Sequence, residues 1–427
     1  MEYIAAIDLG TSKIVGMVAR KENDDITILA IEKENLPSLV KKGTVHNVGD
    51  LPMVIKRVIR KLENVTSEQI AKVYVNINGP SLRAEEHIVR YTMKQDDEVT
   101  QELLDKLRLD AFNAQLESGE VFDVVAPEYY IKNTLEKNPV GITCSQIECR
   151  YKLIVGKSSF KKSIERCFKS LNGIEIAGFI VSPIATAAAV LPEKEKELGC
   201  ALIEFGAGVT TLSIYKNKLL RFLITIPFGG ENITKDILHL NILGKYAEKL
   251  KLENGSCDLT KEERGRKITL KIGDNQNDLL DVDVSKMNEY IFARENEIVV
   301  NVLNQLTNSG YKDQLPTGII IAGGASQMDG LYPLIERQTN LPVRQADLQV
   351  PINDETHRLT NLGYEQIVGM LLLGTKNCIR PKEQVPPPPP PPPVGGKGSA
   401  GGKKNRFGFL TELFDFGNDN SSDMDEK

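Results

Sequence analysis

The chain has 427 residues, 41% of them hydrophobic and 26% charged, with a formal net charge of −5. That length exceeds one small core and predicts two to four domains of ordinary soluble composition. The acidic balance excludes a whole-protein nucleic-acid footprint, which needs a basic surface, so no nucleic-acid partner is expected. Six cysteines (Cys144, Cys149, Cys167, Cys200, Cys257, Cys378) are scattered without a CxxC pair, and His46, His87, His239 and His357 show no metal-ligand spacing. Both sets read as structural residues of a reducing compartment, without a disulfide framework or a zinc site. Met1 leads into an apolar strand without the basic and apolar regions of a signal peptide. The longest apolar stretch, 367–373, falls far short of the roughly 20 residues a membrane span needs. A cytoplasmic protein is expected.

In chain order, apolar periodicity predicts strands at 3–8, 14–20 and 26–34, a helix near 50–62 and a strand at 71–78. The character changes after Pro80: residues 99–117 are charged and helical, strands are expected near 121–133 and 147–156, and a helix near 158–171. A strand at 174–182 leads into a helix over 183–191 (PIATAAAVL), whose small side chains suit close packing. Strands follow near 200–205, 210–215 and 219–226, then Gly229-Gly230 before a helix. Residues 252–285 are polar and Gly/Asp-rich and predict a smaller β-containing lobe, with a long helix over roughly 286–308. A strand at 318–321 runs into Ala322-Gly323-Gly324-Ala325, and a helix begins near Gly330. Two β-rich halves in the same order argue for internal duplication. The globular part ends near residue 380. Eight prolines, 386–393, predict a polyproline II rod of roughly 25 Å at about 3.1 Å per residue. A Gly/Ser/Lys hinge at 395–402, an apolar element at 405–417 and an acidic tail follow.

The chemistry concentrates in a motif present twice. Ile7-Asp8-Leu9-Gly10-Thr11-Ser12-Lys13 and Ile203-Glu204-Phe205-Gly206-Ala207-Gly208-Val209-Thr210-Thr211 each read as strand, acidic residue, glycine turn, strand. Such a turn bares consecutive backbone N–H groups that form an anion nest, and an acidic residue beside it is out of place unless a cation accompanies the anion. Asp8 could orient waters on Mg²⁺, which prefers few carboxylates. The amides from Gly10 to Lys13, the Thr11 and Ser12 hydroxyls and the Lys13 ammonium suit phosphate oxygens. The second copy offers Glu204, Gly206, Gly208 and Thr210, but Ala207 interrupts the glycines and Val209 brings no hydroxyl. Gly323, Gly324 and Ala325, with Gly230, leave room for a base or ribose beside bare backbone. Glu248 and Lys251, one helical turn apart, could bracket a ribose or adenine edge or form a solvated ion pair.

These residues carry a resemblance. The order of two phosphate hairpins, the small-residue helix after Pro183, the glycine pair and the helix at 365–374 resembles the actin/Hsp70/sugar-kinase superfamily and, within it, the FtsA family of bacterial cell-division proteins. AAIDLGTSKI looks like that family's first phosphate segment and AGGASQMDGL like its adenosine motif. Asn138-Pro139-Val140-Gly141 resembles part of its inserted subdomain, and Pro227-Phe228-Gly229-Gly230, Thr234-Lys235-Asp236-Ile237, AEKLK and Gly255 track it further. The resemblance covers roughly residues 3–375. It implies an α/β, actin-like duplicated fold with four subdomains around a nucleotide cleft. On that reading, 1–82 with 171–195 form the first actin-like subdomain, 83–170 the inserted one, and 196–380 the second half with a smaller lobe near 245–310. Residues 381–404 are then a disordered Pro/Gly-rich linker, 405–417 an amphipathic membrane-targeting helix and 418–427 the acidic tail.

The same resemblance implies ATP and Mg²⁺ as ligands, self-association into actin-like filaments, docking of the FtsZ C-terminal peptide, other divisome partners, and attachment to membrane lipids at the division site. The last is legible in the residues. At about 100° per residue, Phe407, Phe409, Leu410, Leu413, Phe414 and Phe416 fall on one half of the wheel, with Thr411, Glu412 and Asp415 on the other. Lys403, Lys404 and Arg406 stand just before, where they could meet anionic headgroups. The second phosphate segment departs from the family, which usually carries aspartate at Glu204, glycine at Ala207, and hydroxyl or acidic residues at Val209 and Thr211. No carboxylate or histidine presents itself as a general base, so no catalytic residue is assigned and a slow ATPase at most is expected. Competing expectations are an ATP-binding scaffold of a pilus or secretion machine and a small-molecule kinase of the same fold.

Overall fold

Alternating apolar side chains fold the N-terminus into an antiparallel meander of β1 (Glu2–Leu9), β2 (Lys13–Glu22) and β3 (Asp25–Asn35), in register from Glu2 opposite Lys21 to Leu9 opposite Ile14. A computed structural model describes residues 2–381 apart from 23–24, 36–37, 261–264, 272–278 and 360–362. The proline rod, hinge, membrane-targeting helix and acidic tail expected beyond Pro381 lie outside the described residues. A small finger, β4 (Val40–Lys41) and β5 (Thr44–Val45), leads to α1 (Leu51–Thr66). Its Leu51, Ile55, Val58, Ile59 and Leu62 recur at helical spacing and are buried. β6 (Lys72–Ile77) then pairs parallel with β1.

The next stretch builds a core of its own. β7 (Arg83–Glu98), α2 (Gln101–Phe112), β8 (Glu120–Ile131), β9 (Thr134–Glu136) and β10 (Thr143–Gly156) enclose Leu104, Leu107, Ile147, Tyr151 and Leu153. The Thr100 hydroxyl accepts from the Leu103 N–H and so starts α2. The chain returns through α3 (Ser159–Lys169) to β11 (Glu175–Val181), parallel to β6, and enters α4 (Ser182–Val190).

After the short α5 (Glu193–Leu198), a second meander repeats the first: β12 (Cys200–Phe205), β13 (Thr210–Lys216) and β14 (Leu219–Ile226). The lobe that follows holds α6 (Gly230–Ile237), α7 (Gly244–Asn254), the pair β15 (Lys267–Lys271) and β16 (Leu279–Asp283), and the long α8 (Val284–Asn308). Then come β17 (Ile319–Ala322), parallel to β12, α9 (Leu331–Thr339), β18 (Val343–Gln345), β19 (Ile352–Asp354) and α10 (Glu365–Leu373).

The duplication is visible in the sheet orders. One sheet runs β11-β6-β1-β2-β3-β19 and the other β18-β17-β12-β13-β14-β7-β10-β8-β9. The run β3-β2-β1-β6-β11 has its counterpart in β14-β13-β12-β17-β18, each a meander followed by two parallel strands. β7 joins β14 through one residue pair, Arg83 opposite Ile224, backed by the Thr225 N–H to Leu82 carbonyl bond and an Arg221–Glu128 ion pair at 2.9 Å. The small side chains of α4 do what the sequence predicted: α10 closes on it so tightly that a Cβ on Gly369 would lie 1.8 Å from the Ala185 carbonyl oxygen.

Candidate functional site

Both meanders end in turns of one design. In the first, the Gly10 N–H donates to the Lys13 carbonyl at 3.0 Å; in the second, the Gly206 N–H donates to the Val209 carbonyl at 2.9 Å. The turns confront each other. Gly208 comes so close to the first turn that a Cβ there would lie 2.5 Å from Thr11 Oγ1 and 2.8 Å from the Lys42 Cα. Thr11 is held in that place because its hydroxyl accepts the Gly43 N–H. Ser12 is exposed at the tip of the first turn.

Asp8 lies at the end of β1 and Glu204 at the matching place in β12, opposite Thr211. The Asp8 carboxylate accepts from Gln366 Nε2 at 2.6 Å, and Glu204 accepts from Thr186 Oγ1 at 2.5 Å. Burial pushes Asp8 up to about 6, against the pull of Lys13 and Gln366. It pushes Glu204 up to about 7, with the nearby charges of Glu365 and Asp8 adding to the rise. Lys13 is lowered, mainly by burial; its ammonium donates to the Gly363 carbonyl at 3.3 Å and lies 5.4 Å over the Tyr364 ring. Two acidic groups and one ammonium thus stand beside the two turns. Among the described residues no group of three or more ligands could hold a metal by itself.

The opposite wall is the glycine pair Gly229-Gly230. The Gly230 N–H donates to the Gly206 carbonyl and the Glu231 N–H to the Ala207 carbonyl, so the start of α6 is fastened to the second turn. Gly323, at φ +88°, turns the chain after β17, and Gly324 faces open space. Ala325 comes within reach of Gly230, where an added Cβ would lie 3.2 Å from the Ala325 Cβ. Two expected ligand groups are spent on the protein. Thr210 is fully buried and its hydroxyl donates to the Phe228 carbonyl. Lys251 is buried and gives its three donors to the Gly230 carbonyl, Thr234 Oγ1 and Glu248 Oε2, so its end of the pair is a strut between α6 and α7 while Glu248 keeps access to solvent.

Sequence reasoning missed three groups. Gln366 and Glu365 open α10, and Asn76 lies near the end of β6, where its side chain accepts the Leu9 N–H and donates to Ser182 Oγ. Two polar residues heading an otherwise apolar helix, YEQIVGMLLL, were the available signal for the first two. A cavity of about 650 Å³, lined by residues such as Arg108, Phe122, Lys161, Phe179 and Leu220, includes none of these groups.

A family model for the cell division protein FtsA matches residues 201–369. The cell division protein FtsA of Porphyromonas gingivalis is 32% identical over 337 residues, 78% of this chain and 70% of that one. The chain belongs to the FtsA family. Solved structures share its actin-like fold at low identity. A PilM–PilN type IV pilus biogenesis complex matches with TM-score 0.59 and 13% identity, over 87% of this chain and 98% of that one. MreB5 of Spiroplasma citri bound to ADP matches with TM-score 0.50 and 12% identity, over 87% and 95%. No helix among the described residues is long and apolar enough to cross a membrane.

Within this FtsA-family cleft the two carboxyls make a prediction of sign. A carboxyl raised in the folded state adds stability below its unfolded value, near 4.5 for Glu204, and that stability is lost as pH rises through about 7. The unliganded protein should therefore melt lower at pH 8 than at pH 6. Glu204→Gln should flatten the fall, recovering at most roughly 3 kcal/mol at pH 8. Thermal melts across that range check it, and parallel curves for the two proteins would refute it.

Proposed function

We propose that this FtsA-family protein binds ATP with Mg²⁺ between the two turns, self-associates into filaments, and tethers FtsZ filaments to the cytoplasmic face of the membrane at the division site, where it recruits other divisome proteins. The close approach of Gly208 to Thr11, which sets two amide nests face to face, carries the nucleotide part of the reading. The donor set fits the metal: Asp8 is raised by burial, and Glu204 by burial and by the nearby charges of Glu365 and Asp8, as befits carboxyls awaiting a cation. Asp8, held by Gln366, would orient the metal's waters, and Mg²⁺ would neutralise phosphate charge there. Lys13 and the amides of the turn after Gly10 would hold phosphate oxygens. The base and ribose would lie by Gly230, Gly323, Gly324 and Ala325, with Glu248 taking the ribose hydroxyls. That MreB5 was solved with ADP supports a nucleotide in this fold.

Hydrolysis, if any, is slow on this reading. Val209 supplies no hydroxyl to the second turn, and displacing catalytic geometry by about an ångström can cost on the order of 100-fold in rate. Membrane attachment falls to Lys403, Lys404 and Arg406 with the six apolar residues from Phe407 to Phe416, whose burial at the interface would offset the cost of folding so short a helix. Deleting 403–427 should release the protein from liposomes while ATP binding and binding of an FtsZ C-terminal peptide persist. Unchanged co-sedimentation with liposomes would sink the tether.

A further inference from the structure

Helix α8 carries a carboxyl sealed in without a partner. Glu295 is 1% exposed, and neither of its oxygens meets a hydrogen-bond donor. One turn before it on the same face stands Ile291, which packs against the end of α7: a Cβ added to Gly255 would lie 2.9 Å from Ile291 Cδ1. Ile298 and Val299 follow in the core. An ionised carboxylate without partners costs several kcal/mol in such a place. The group therefore holds its proton at neutral pH, burial pushing it up to about 8. The charge acting to favour its ionised form is that of Lys251 on α7. The other titratable neighbour is the Cys257 thiol, itself raised by burial and by the fields of Glu295 and Asp329.

Lys251, whose charge reaches Glu295, also stands at the glycine wall of the cleft. An ammonium has three donors, and all three are engaged: 3.0 Å to the Gly230 carbonyl, 2.9 Å to Thr234 Oγ1 and 2.8 Å to Glu248 Oε2. None is left for Glu295. Of the three acceptors, Glu248 is the one that can leave, since its side chain is 46% exposed. It also receives the Thr234 hydroxyl, so drawing it away disturbs both of its partners. A nucleoside in the cleft offers hydroxyl donors that a carboxylate accepts readily.

Resting on the nucleotide reading above, we propose that Glu295 is a positioning residue for nucleotide binding: a nucleoside that engages Glu248 frees a donor of Lys251, which turns to Glu295, and Glu295 gives its proton to solvent. Filling the cleft thus sheds one proton from the heart of the lobe and pins α7 to α8 by a buried ion pair. The affinity for nucleotide rises with pH up to about 8 and levels above it, by as much as tenfold per unit below that point.

Calorimetric titration of the full chain with ADP, in buffers of different ionisation enthalpy and at pH 6.5 to 8.5, measures both slope and proton count. Asp8, Glu204 and the phosphates titrate in the same range, so the decisive quantity is the difference between wild type and the isosteric Glu295→Gln. The variant should bind ADP but release about one proton fewer at pH 7 and about half a proton fewer at pH 8, and lose about fivefold of the affinity gain between the two. Glu295→Met should behave alike. In infrared difference spectra, ADP should remove a protonated-carboxyl band from wild type that Glu295→Gln lacks. Equal slopes and proton counts in wild type and both variants overturn the inference while leaving nucleotide binding intact. Failure of wild type to bind ADP overturns the nucleotide reading and the inference with it.

Discussion

Gly369→Val should leave little folded protein. The atoms it would strike are backbone: the Ala185 carbonyl oxygen at 1.8 Å and its carbon at 2.4 Å from the position of an added Cβ. Overpacking a core usually costs about 1–3 kcal/mol because side chains give way; a helix backbone cannot, so the expected loss is ~4 kcal/mol or more. The variant should be insoluble, or melt far below wild type, in a comparison by circular dichroism. A melt within two or three degrees of wild type would mean that α4 and α10 can part freely. The same contact positions the cleft, since α10 presents Gln366 to Asp8. A partly folded variant should therefore bind nucleotide poorly as well.

The second large effect is on the cleft itself. Lys13→Ala removes the charged donor proposed to hold phosphate, worth about 1.5–3 kcal/mol, and should weaken ATP binding by roughly 10–100-fold. Asp8→Ala should cost as much with Mg²⁺ present and much less after chelation, if its part is to order the metal's waters as proposed. It also leaves Gln366 without the carboxylate it donates to. Titration of a fluorescent ATP analogue with and without EDTA separates the two variants. Wild-type affinity in both would remove the argument for a nucleotide between the turns.

The meanders were legible because their period-2 patterning is strong and their turns are marked by glycine; β1 to β3 and β12 to β14 fall within two residues of expectation. The small residues of 183–191 announced a tight helix contact, though not that Gly369 would be its other side. β7 escaped notice because Arg83, Glu85, Glu86, Arg90 and Lys94 break its apolar run, and its outward face is wet. β19 could not be read at all: three residues, Ile352–Asp354, pair with β3 only because the chain has come back to it. The cleft was half legible. Asp8, Lys13 and Glu204 stand out as residue types in a pattern, whereas Gln366, Thr186 and Asn76 matter through partners more than 15 positions away. Glu295 sits inside a long helix, where a glutamate ordinarily means a wet face, and only its burial makes it conspicuous.

The borders of the two large sheets carry a consequence for assembly. β9, β18 and β19, which bound three of the four borders, are three residues long, and β11 at the fourth is interrupted by a register shift between Ile176 and Gly178. The outer strands of the two meanders, β3 and β14, are each covered by a strand from a distant part of the chain. Short or bulged borders of this kind offer a poor template for a neighbouring chain's backbone. In the filament proposed above, growth by one sheet continuing into the next is therefore disfavoured. Side-chain contacts would then join the subunits of such a filament, and point substitutions on the surface, more than any change of backbone, would tune its assembly.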